Sequence, residues 1–276
     1  MTTRVVFLSG GVGSWAAAMR VRDGMEPGDR LVLLFTDTKT EDASTYAFLE
    51  AGAAKALEGV DGEFVKLADG RDIWEVFRDV RMIGNTRIDP CSRVLKRELA
   101  ADYITKTFDP ADTVLYVGID WTEVNRLPVI VRNWQPFTVR APLMAKPYLT
   151  KAALIAWAES EGLPIPELYA RGFPHANCGG ACVKAGHAQW ARLLREYPER
   201  YAHHEEREQS MRDYLGRDDV AILRDRRDGG TQPLTLASFR ERIETASAGQ
   251  GSLWDVYDPD DWGGCGCFTD YDEAAR

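Results

Sequence analysis

The stretch Val5-Val-Phe-Leu-Ser-Gly-Gly-Val-Gly-Ser14, near the start of the chain, decides the fold. Its apolar run ends at a serine and two glycines, and a helix-favouring segment then runs from Ser14 toward Gly24. This order predicts a buried strand, a glycine turn and a helix. Glycines let backbone amides approach a phosphate, and the amino end of a helix adds partial positive charge. The stretch therefore predicts a nucleotide phosphate site, with a ligand-free tight turn as the alternative.

The same alternation of strands and helices continues along the chain. Apolar runs at residues 31–36, 64–67, 114–117 and 137–141 predict further strands, and segments with helical spacing lie between them. Such alternation indicates βαβ units and a parallel sheet that is buried on both faces. We therefore expect an α/β fold, with a doubly wound, Rossmann-like parallel sheet and helices on both faces. A helix capped by Asp42 and another capped by Thr150 belong to this pattern.

The pattern changes after Gly162, where prolines and a glycine-rich loop precede two charged helices. A hairpin around residues 221–236 and a last helix from Thr235 are expected beyond them. We predict a nucleotide-binding α/β domain over residues 1–170 and a mostly helical, cysteine-containing region over residues 171–276, packed on it. The pair His203-His204 lies among glutamates, which predicts a solvent-exposed helix face.

The composition is that of a globular protein and excludes a disordered chain. There are 34 Lys and Arg against 43 Asp and Glu, so the net charge is 34 − 43 = −9, which does not favour general binding to nucleic acid but leaves a local basic groove open. No run of 18 apolar residues occurs, so no membrane span is expected. The amino terminus leads straight into a strand rather than a secretory signal, which predicts a cytoplasmic protein.

The cysteines indicate metal or redox chemistry. Cys178 and Cys182 form a C-x-x-x-C pair, Cys265 and Cys267 form a C-x-C pair, and Cys91 stands alone. An odd number of cysteines in a chain expected to be cytoplasmic argues against a disulfide framework. Thiolates ligate 4Fe–4S clusters, and zinc is the rival metal. The pattern favours a cluster and leaves the absence of a metal and then a zinc ion as the alternatives.

The glycine turn, S-G-G-x-x-S, resembles the PP-loop of the adenine nucleotide alpha-hydrolase-like superfamily. That superfamily includes ATP pyrophosphatases, tRNA thiolation enzymes, and the adenylyl-sulfate and phosphoadenylyl-sulfate reductases. The order of later segments most resembles the reductases, over about residues 5–185 in all. The matching segments are residues 34–38, Pro90-Cys91-Ser92, Leu95-Lys96, Gly118 with Glu123 and Arg126, Pro142-Leu143, Leu168-Tyr169 and Gly172-Phe173.

The resemblance implies a HUP-type fold and a set of site residues. It implies that the nucleotide is held by Ser9, Gly10, Gly11, Val12, Gly13, Ser14, Asp37 and Gly118. For Asp37, the ribose or a metal is the expected contact, and a helix cap is the alternative. It implies cluster ligation by Cys91, Cys178, Cys182 and Cys267, with Cys265 as the other choice of fourth ligand. It implies catalytic roles for Cys265, Cys267, Lys96 and Arg126, the last two as phosphate or sulfate binders.

The resulting functional expectation is an iron–sulfur PP-loop enzyme of sulfur metabolism. In the reductase version, a tail cysteine attacks adenylyl-sulfate and a thioredoxin-like reductant completes the turnover. One alternative is an ATP-dependent sulfurtransferase or nucleophile-activating enzyme that modifies a nucleic acid or a small molecule, with Mg²⁺ as a further cofactor. Another is a non-catalytic nucleotide-binding subunit. ATP pyrophosphatases usually have Lys-Asp where this loop has Val12-Gly13, which removes a cation and a Mg²⁺ ligand.

Overall fold

A computed structural model describes residues 1–226, 230–250 and 256–263. A five-stranded parallel sheet with the strand order β3-β2-β1-β4-β5 lies at its centre. The strands are β1 (Thr3–Leu8), β2 (Arg30–Asp37), β3 (Gly62–Ala68), β4 (Thr113–Tyr116) and β5 (Thr138–Arg140). All five were predicted from apolar runs, and the doubly wound parallel α/β fold is confirmed.

The helices include those predicted from the caps Asp42 and Thr150, and two, at residues 127–133 and 167–170, that were not predicted. They are α1 (Val12–Asp23), α2 (Ala43–Leu57), α3 (Ile73–Asp79), α4 (Pro90–Ser92), α5 (Leu99–Thr107), α6 (Leu127–Asn133), α7 (Lys151–Ser160), α8 (Glu167–Ala170), α9 (His187–Glu196), α10 (Pro198–Leu215) and α11 (Leu236–Thr245). A π-helical segment (Arg93–Glu98) joins α4 to α5. Short 3-10 helices span Trp121–Arg126, Pro142–Met144 and Asn177–Gly180. Among the described residues, no helix is long and apolar enough to cross a membrane.

Helices cover both faces of the sheet because successive strand residues point to opposite sides. Val6 and Leu8 of β1 belong to a core with α1, α2 and α7, whereas Val5 and Phe7 belong to a core with α5 and α6. The Asp42 side chain accepts a hydrogen bond from the Ser44 N–H at 2.9 Å, so the predicted cap of α2 is confirmed. Burial on both faces explains why the central strands are continuously apolar.

The topology creates a crevice at one edge of the sheet. The chain builds β1, β2 and β3 in one direction and then returns to place β4 on the other side of β1. The connections that follow β1 and β4 therefore diverge at the carboxyl ends of these two strands. In doubly wound sheets, ligands bind at this switch point.

The C-terminal helices form a third core with earlier segments. Trp190 of α9 and Tyr201 of α10 pack there with Phe77 of α3 and with Cys91. The predicted hairpin is present as the antiparallel strands β6 (Leu223–Asp225) and β7 (Gln232–Leu234). This core contains residues from both sides of position 170, and the division of the chain at that position stays a prediction.

The predicted exposed face of α10 is wrong for one of its two histidines. His203 is exposed, but His204 is buried and accepts a hydrogen bond at 3.2 Å from the Trp74 indole N–H through Nδ1. Burial lowers the pKa of His204 to about 3, so the ring is neutral. The reason is tertiary, because α10 packs against α3 as well as against α9.

Candidate functional site

The glycine turn lies between β1 and α1 and leaves the helix terminus open. Gly11 is the N-cap of α1 and has no side chain of its own to cap the helix, and the first amide, Val12 N–H, donates instead to the Tyr169 hydroxyl. The Ser14 hydroxyl accepts a hydrogen bond from the Ser9 N–H at 3.0 Å and donates one to the Gly11 carbonyl at 2.9 Å. Gly10 has a φ of 78°, and a Cβ there would lie 2.6 Å from Cγ2 of Thr45. The turn therefore needs glycine for its shape, and its serines close it internally.

Gly118 meets this turn from the end of β4. A Cβ on Gly118 would lie 2.6 Å from the Cα and 2.9 Å from the nitrogen of Ser14. A Cβ on Gly13 would lie 3.2 Å from the Gly118 carbonyl oxygen. The two backbones touch here, so close packing by itself requires glycine at position 118.

A cleft opens at the switch point between β1 and β4. It encloses about 850 Å³, counting the part open to solvent. The turn supplies Ser9, Gly11, Gly13 and Ser14 to its wall, and the adjoining Gly118 lines it as well. The charged and ionisable wall residues are Asp120, Glu123, Arg126, Lys151 and His175. The open helix terminus and two basic side chains suit an anionic ligand.

The cleft also carries two carboxylates. Asp120 accepts hydrogen bonds from the Thr122 N–H at 2.8 Å and from its hydroxyl at 2.6 Å, while Glu123 forms an ion pair with Arg126. Carboxylates beside a phosphate-binding turn are suitable ligands for a nucleotide-bound Mg²⁺. They line the same cleft as Gly13, one of the two loop residues that stand where ATP pyrophosphatases usually have Lys-Asp.

Tyr169 of α8 reaches into the glycine turn. Its hydroxyl accepts a hydrogen bond from the Val12 N–H at 3.3 Å, and the Lys151 amine lies 5.8 Å from its ring centroid. A phosphate oxygen would compete for the same amide. Tyr169 belongs to a segment that carries the resemblance but was not predicted to have a role. Lys151, His175 and Asp120 were not predicted at all, because no distinctive sequence pattern marks them.

Asp37 is engaged away from the cleft wall. Its carboxylate accepts hydrogen bonds from the Tyr46 hydroxyl at 2.6 Å and from the Lys39 N–H at 2.8 Å. It does not cap α2, because Asp42 does. The expected contact of Asp37 with the ribose or a metal stays a prediction. Gly10 and Val12 likewise belong to the turn without lying on the cleft wall.

The structure brings three of the five cysteines to one cavity. Cys91, Cys178 and Cys182 all line a cavity of about 380 Å³, counting its solvent-open part. Apolar residues, two lysines and Asp89 complete much of the wall: Ile73, Ala181, Val183, Lys96, Lys184 and Asp89. The predicted grouping of Cys91 with the later pair is consistent with this placement. Cys265 and Cys267 lie outside the described residues.

The loop that carries Cys178 has an unusual backbone held by three side chains. Cys178 has a φ of 53°, in the left-handed region that favours glycine, and Gly179 and Gly180 continue there at 55° and 85°. The Cys178 N–H donates to Oε2 of Glu41 at 2.6 Å. Arg200 donates to the Gly179 carbonyl at 2.5 Å, and Gln189 donates to that of Gly180 at 2.8 Å. The surrounding structure thus fixes a conformation that costs energy, as is common at functional sites.

Lys96 lies at the cysteine cavity rather than in the cleft. Its amine is 3.6 Å from Oε1 of Glu41, and the two side chains are 3% and 0% exposed. The predicted catalytic lysine is therefore a buried cation beside the cysteines. Glu41 serves both this lysine and the Cys178 backbone, and nothing in the sequence distinguished it from its neighbour Asp42.

The three cysteines are of the right chemical type to bind a metal group, although their thiols do not converge on one point. Burial, with the nearby Cys178, raises the pKa of the Cys91 thiol, so without a metal it stays protonated. Within residues 1–226, 230–250 and 256–263, no three cysteine, histidine or carboxylate groups converge closely enough to hold a metal ion. Three thiols on one largely apolar wall, with basic residues near, are nevertheless suitable ligands for an iron–sulfur cluster.

One loop joins the cleft and the cavity. His175, Ala176 and Asn177 lie on the cleft wall, and Cys178 and Cys182 lie on the cavity wall. The Thr45 hydroxyl donates to the Ala176 carbonyl at 3.2 Å and ties the loop to α2. A ligand in the cleft and a group held by the cysteines would therefore be neighbours.

Comparison with known proteins finds similarity of structure rather than of sequence. No protein-family model matches the chain, and no curated protein matches it. A phosphoadenylyl-sulfate reductase from Candida auris, solved as a phosphate complex, is 16% identical over 63% of this chain and 79% of its own, with a TM-score of 0.42. The U34-tRNA thiolase NcsA from Methanococcus maripaludis, solved with its [4Fe-4S] cluster, is 17% identical over 79% of this chain and 74% of its own, with a TM-score of 0.42. At this level, the similarity concerns the fold alone.

Proposed function

We propose that this chain is an adenine-nucleotide-binding iron–sulfur enzyme that acts on activated sulfur. The observation that carries the proposal is the loop of residues 175–182, which lines the nucleotide-type cleft with one part and the cysteine cavity with the next. A nucleotide bound in the cleft would therefore lie close to the thiols. A purely nucleotide-binding subunit would have no need for this connection.

In the cleft, the amides at the start of α1 and the side chains of Arg126 and Lys151 would hold the phosphates. Tyr169 would give up its bond to the Val12 N–H when a phosphate oxygen arrives. These residues bind and orient the nucleotide.

In the cavity, Cys91, Cys178 and Cys182 would hold a 4Fe–4S cluster. Such a cluster, when bound, supplies an electrophilic or redox-active iron next to the nucleotide. Lys96 and Lys184 on the same wall would offset the negative charge of the thiolates. A tail cysteine, Cys265 or Cys267, would provide the fourth ligand or the reactive thiol, as the sequence resemblance implies.

The leading reaction is reduction of an adenylyl-sulfate. A cysteine thiolate attacks the sulfur, the sulfur–oxygen bond to the nucleotide breaks, and the adenosine phosphate leaves with the electron pair. The product is an enzyme S-sulfonate. A dithiol reductant then supplies two electrons, releasing sulfite, restoring the enzyme cysteine and becoming a disulfide.

The second candidate is ATP-dependent activation of an acceptor for sulfur transfer. It is favoured by Asp120 and Glu123, because an adenylyl-sulfate needs no metal whereas ATP is bound with Mg²⁺. The carboxylates would replace the loop aspartate that this chain lacks. Release of pyrophosphate from ATP, with the acceptor present, would identify this reaction, and release of sulfite from adenylyl-sulfate would identify the first.

The metal proposal is tested by purification under argon, with an absorption spectrum and counts of iron and zinc. We expect a brown protein that loses its colour and iron in Cys91→Ala, Cys178→Ala and Cys182→Ala. Val183→Ala is the matched control, because Val183 lies on the same wall without a donor atom. A colourless protein with stoichiometric zinc would refute the cluster and retain the ligands. A protein without metal that is active with neither substrate would refute the proposed function.

A further inference from the structure

Two exposed aromatic rings form a platform at the rim of the cleft. The rings of Trp121 and Tyr148 lie 5.7 Å apart between centroids, at 36°, and these residues are 43% and 52% exposed. Val124, on the same short helix as Trp121, is 60% exposed. The part of the chain that the structure describes has seven exposed large hydrophobic residues, and three of them are Trp121, Val124 and Tyr148. Clustered exposed apolar side chains mark interaction sites, whereas scattered ones are ordinary.

The platform is held in place by the framework beneath it. Arg20 of α1 donates hydrogen bonds to the carbonyls of Pro142, Ala145 and Pro147, at 3.0, 2.9 and 2.5 Å, and so fixes the loop that leads to Tyr148. Asp120 caps the helix that begins at Trp121. A fixed aromatic surface loses little conformational freedom when a ligand stacks on it.

The position of the platform relates it to the cleft without making it part of the wall. Trp121 and Tyr148 do not line the cleft, but Asp120 and Glu123, on either side of Trp121 in the sequence, do. The adenine of a nucleotide bound inside the cleft would therefore not rest on these rings. A second molecule stacked on the platform could extend a functional group over the rim toward the reacting centre.

The charges around the platform select the kind of molecule. Lys146 precedes Tyr148 by two residues and is exposed, and Lys151 follows it by three and reaches the cleft. The nearby carboxylates Asp120 and Glu123 line the cleft, where Glu123 forms an ion pair with Arg126. In a chain with a net charge of −9, this local combination of aromatic rings and lysines suits bases and phosphates together.

We propose that the platform binds an unstacked nucleobase of a single-stranded nucleic acid, with an adjoining phosphate near Lys146. The inference rests on the proposed function in its second form, in which the nucleobase is the acceptor. Base stacking on an aromatic side chain tolerates different bases, so the platform supplies affinity while the cleft supplies the chemistry.

The test measures fluorescence anisotropy of labelled single-stranded RNA and DNA, about 10 nucleotides long, with purified full-length protein. We expect Trp121→Ala and Tyr148→Ala each to weaken binding about tenfold. Lys146→Gln should weaken it less and reduce its dependence on salt. Tyr214→Ala is the matched control, because Tyr214 is 38% exposed on α10 beneath Arg78 and should leave binding unchanged.

The outcomes separate this inference from the proposed function. The proposal would be overturned if the wild type did not bind the oligonucleotide. It would also be overturned if Trp121→Ala bound it as tightly as the wild type does, and the exposed rings would then be assigned to docking of a protein. Loss of the ATP-induced rise in melting temperature in Trp121→Ala, with binding of the oligonucleotide intact, would assign the rings to the cofactor and also overturn it. Ring-dependent oligonucleotide binding without any stabilisation by ATP or adenylyl-sulfate would support the platform and refute the proposed function.

Discussion

Replacement of Glu208 should destabilise the C-terminal region, because its carboxylate holds two separate backbone segments inside the protein. Glu208 of α10 is 1% exposed. It accepts hydrogen bonds from the Ile222 N–H at 2.8 Å and from the Leu236 N–H at 2.7 Å, just before β6 and at the start of α11. In Glu208→Ala, both amides lose their partner, and each buried unsatisfied amide costs about 1–3 kcal/mol. We expect a total loss of roughly 2–6 kcal/mol in the free energy of unfolding.

The same carboxylate should make stability depend on pH in an unusual direction. Burial raises the pKa of Glu208 from the ordinary 4.5 to about 7, and the two amides and Arg212 oppose it only in part. The folded protein therefore binds this proton more tightly than the unfolded chain does. The resulting stabilisation is complete below about pH 4.5 and is lost as the pH rises through about 7, a change of roughly 3 kcal/mol.

The assay is urea unfolding of the wild type and of Glu208→Gln at intervals from about pH 4.5 to about pH 8. Glutamine has nearly the same size and does not titrate, so the difference in unfolding free energy between wild type and variant isolates this group. The unfolding free energy of the wild type minus that of the variant should decrease by roughly 3 kcal/mol as the pH rises, because only the wild type loses this stabilisation. Glu206→Gln, an exposed site on the same helix, is the control. A difference that is constant with pH, or one that grows in favour of the wild type, would refute the reasoning.

Two further predictions concern the turn and the loop of the candidate site. Gly118→Ala should abolish the rise in melting temperature caused by ATP, because its methyl group would lie 2.6 Å from the Ser14 Cα. Gly230→Ala is the control and should retain the full rise, because a Cβ there meets no atom closer than 3.9 Å. Arg200→Ala should weaken retention of the metal group about tenfold or more, because Gly179 and Asp42 lose a partner. Metal analysis after dialysis checks this, and unchanged iron retention would show that the loop conformation does not depend on Arg200.

The fold of this protein could be predicted from its sequence because local patterns encode it. Strands buried on both faces appear as continuous apolar runs, so β1 and β2 were recognisable without any partner. The caps Asp42 and Thr150 marked the starts of α2 and α7, because they bond amides only two or three residues away. The glycine turn was recognisable in the same way, since its chemistry lies within six consecutive residues.

The candidate site depended on contacts that no local pattern records. The sequence grouped Cys91 with Cys178 and Cys182 through a resemblance, and only packing places all three on one wall. Glu41 supports Cys178 across 137 positions of the chain, and Tyr169 bonds Val12 across 157.

The burial of His204 follows the same rule. A helical pattern shows which residues share a face, but it does not show how many neighbours cover the helix. Because α10 packs on both α3 and α9, a histidine in a charged stretch becomes part of a core. Periodicity along the chain thus determined the elements and their order, whereas the meeting of distant side chains was decided by how those elements pack in three dimensions.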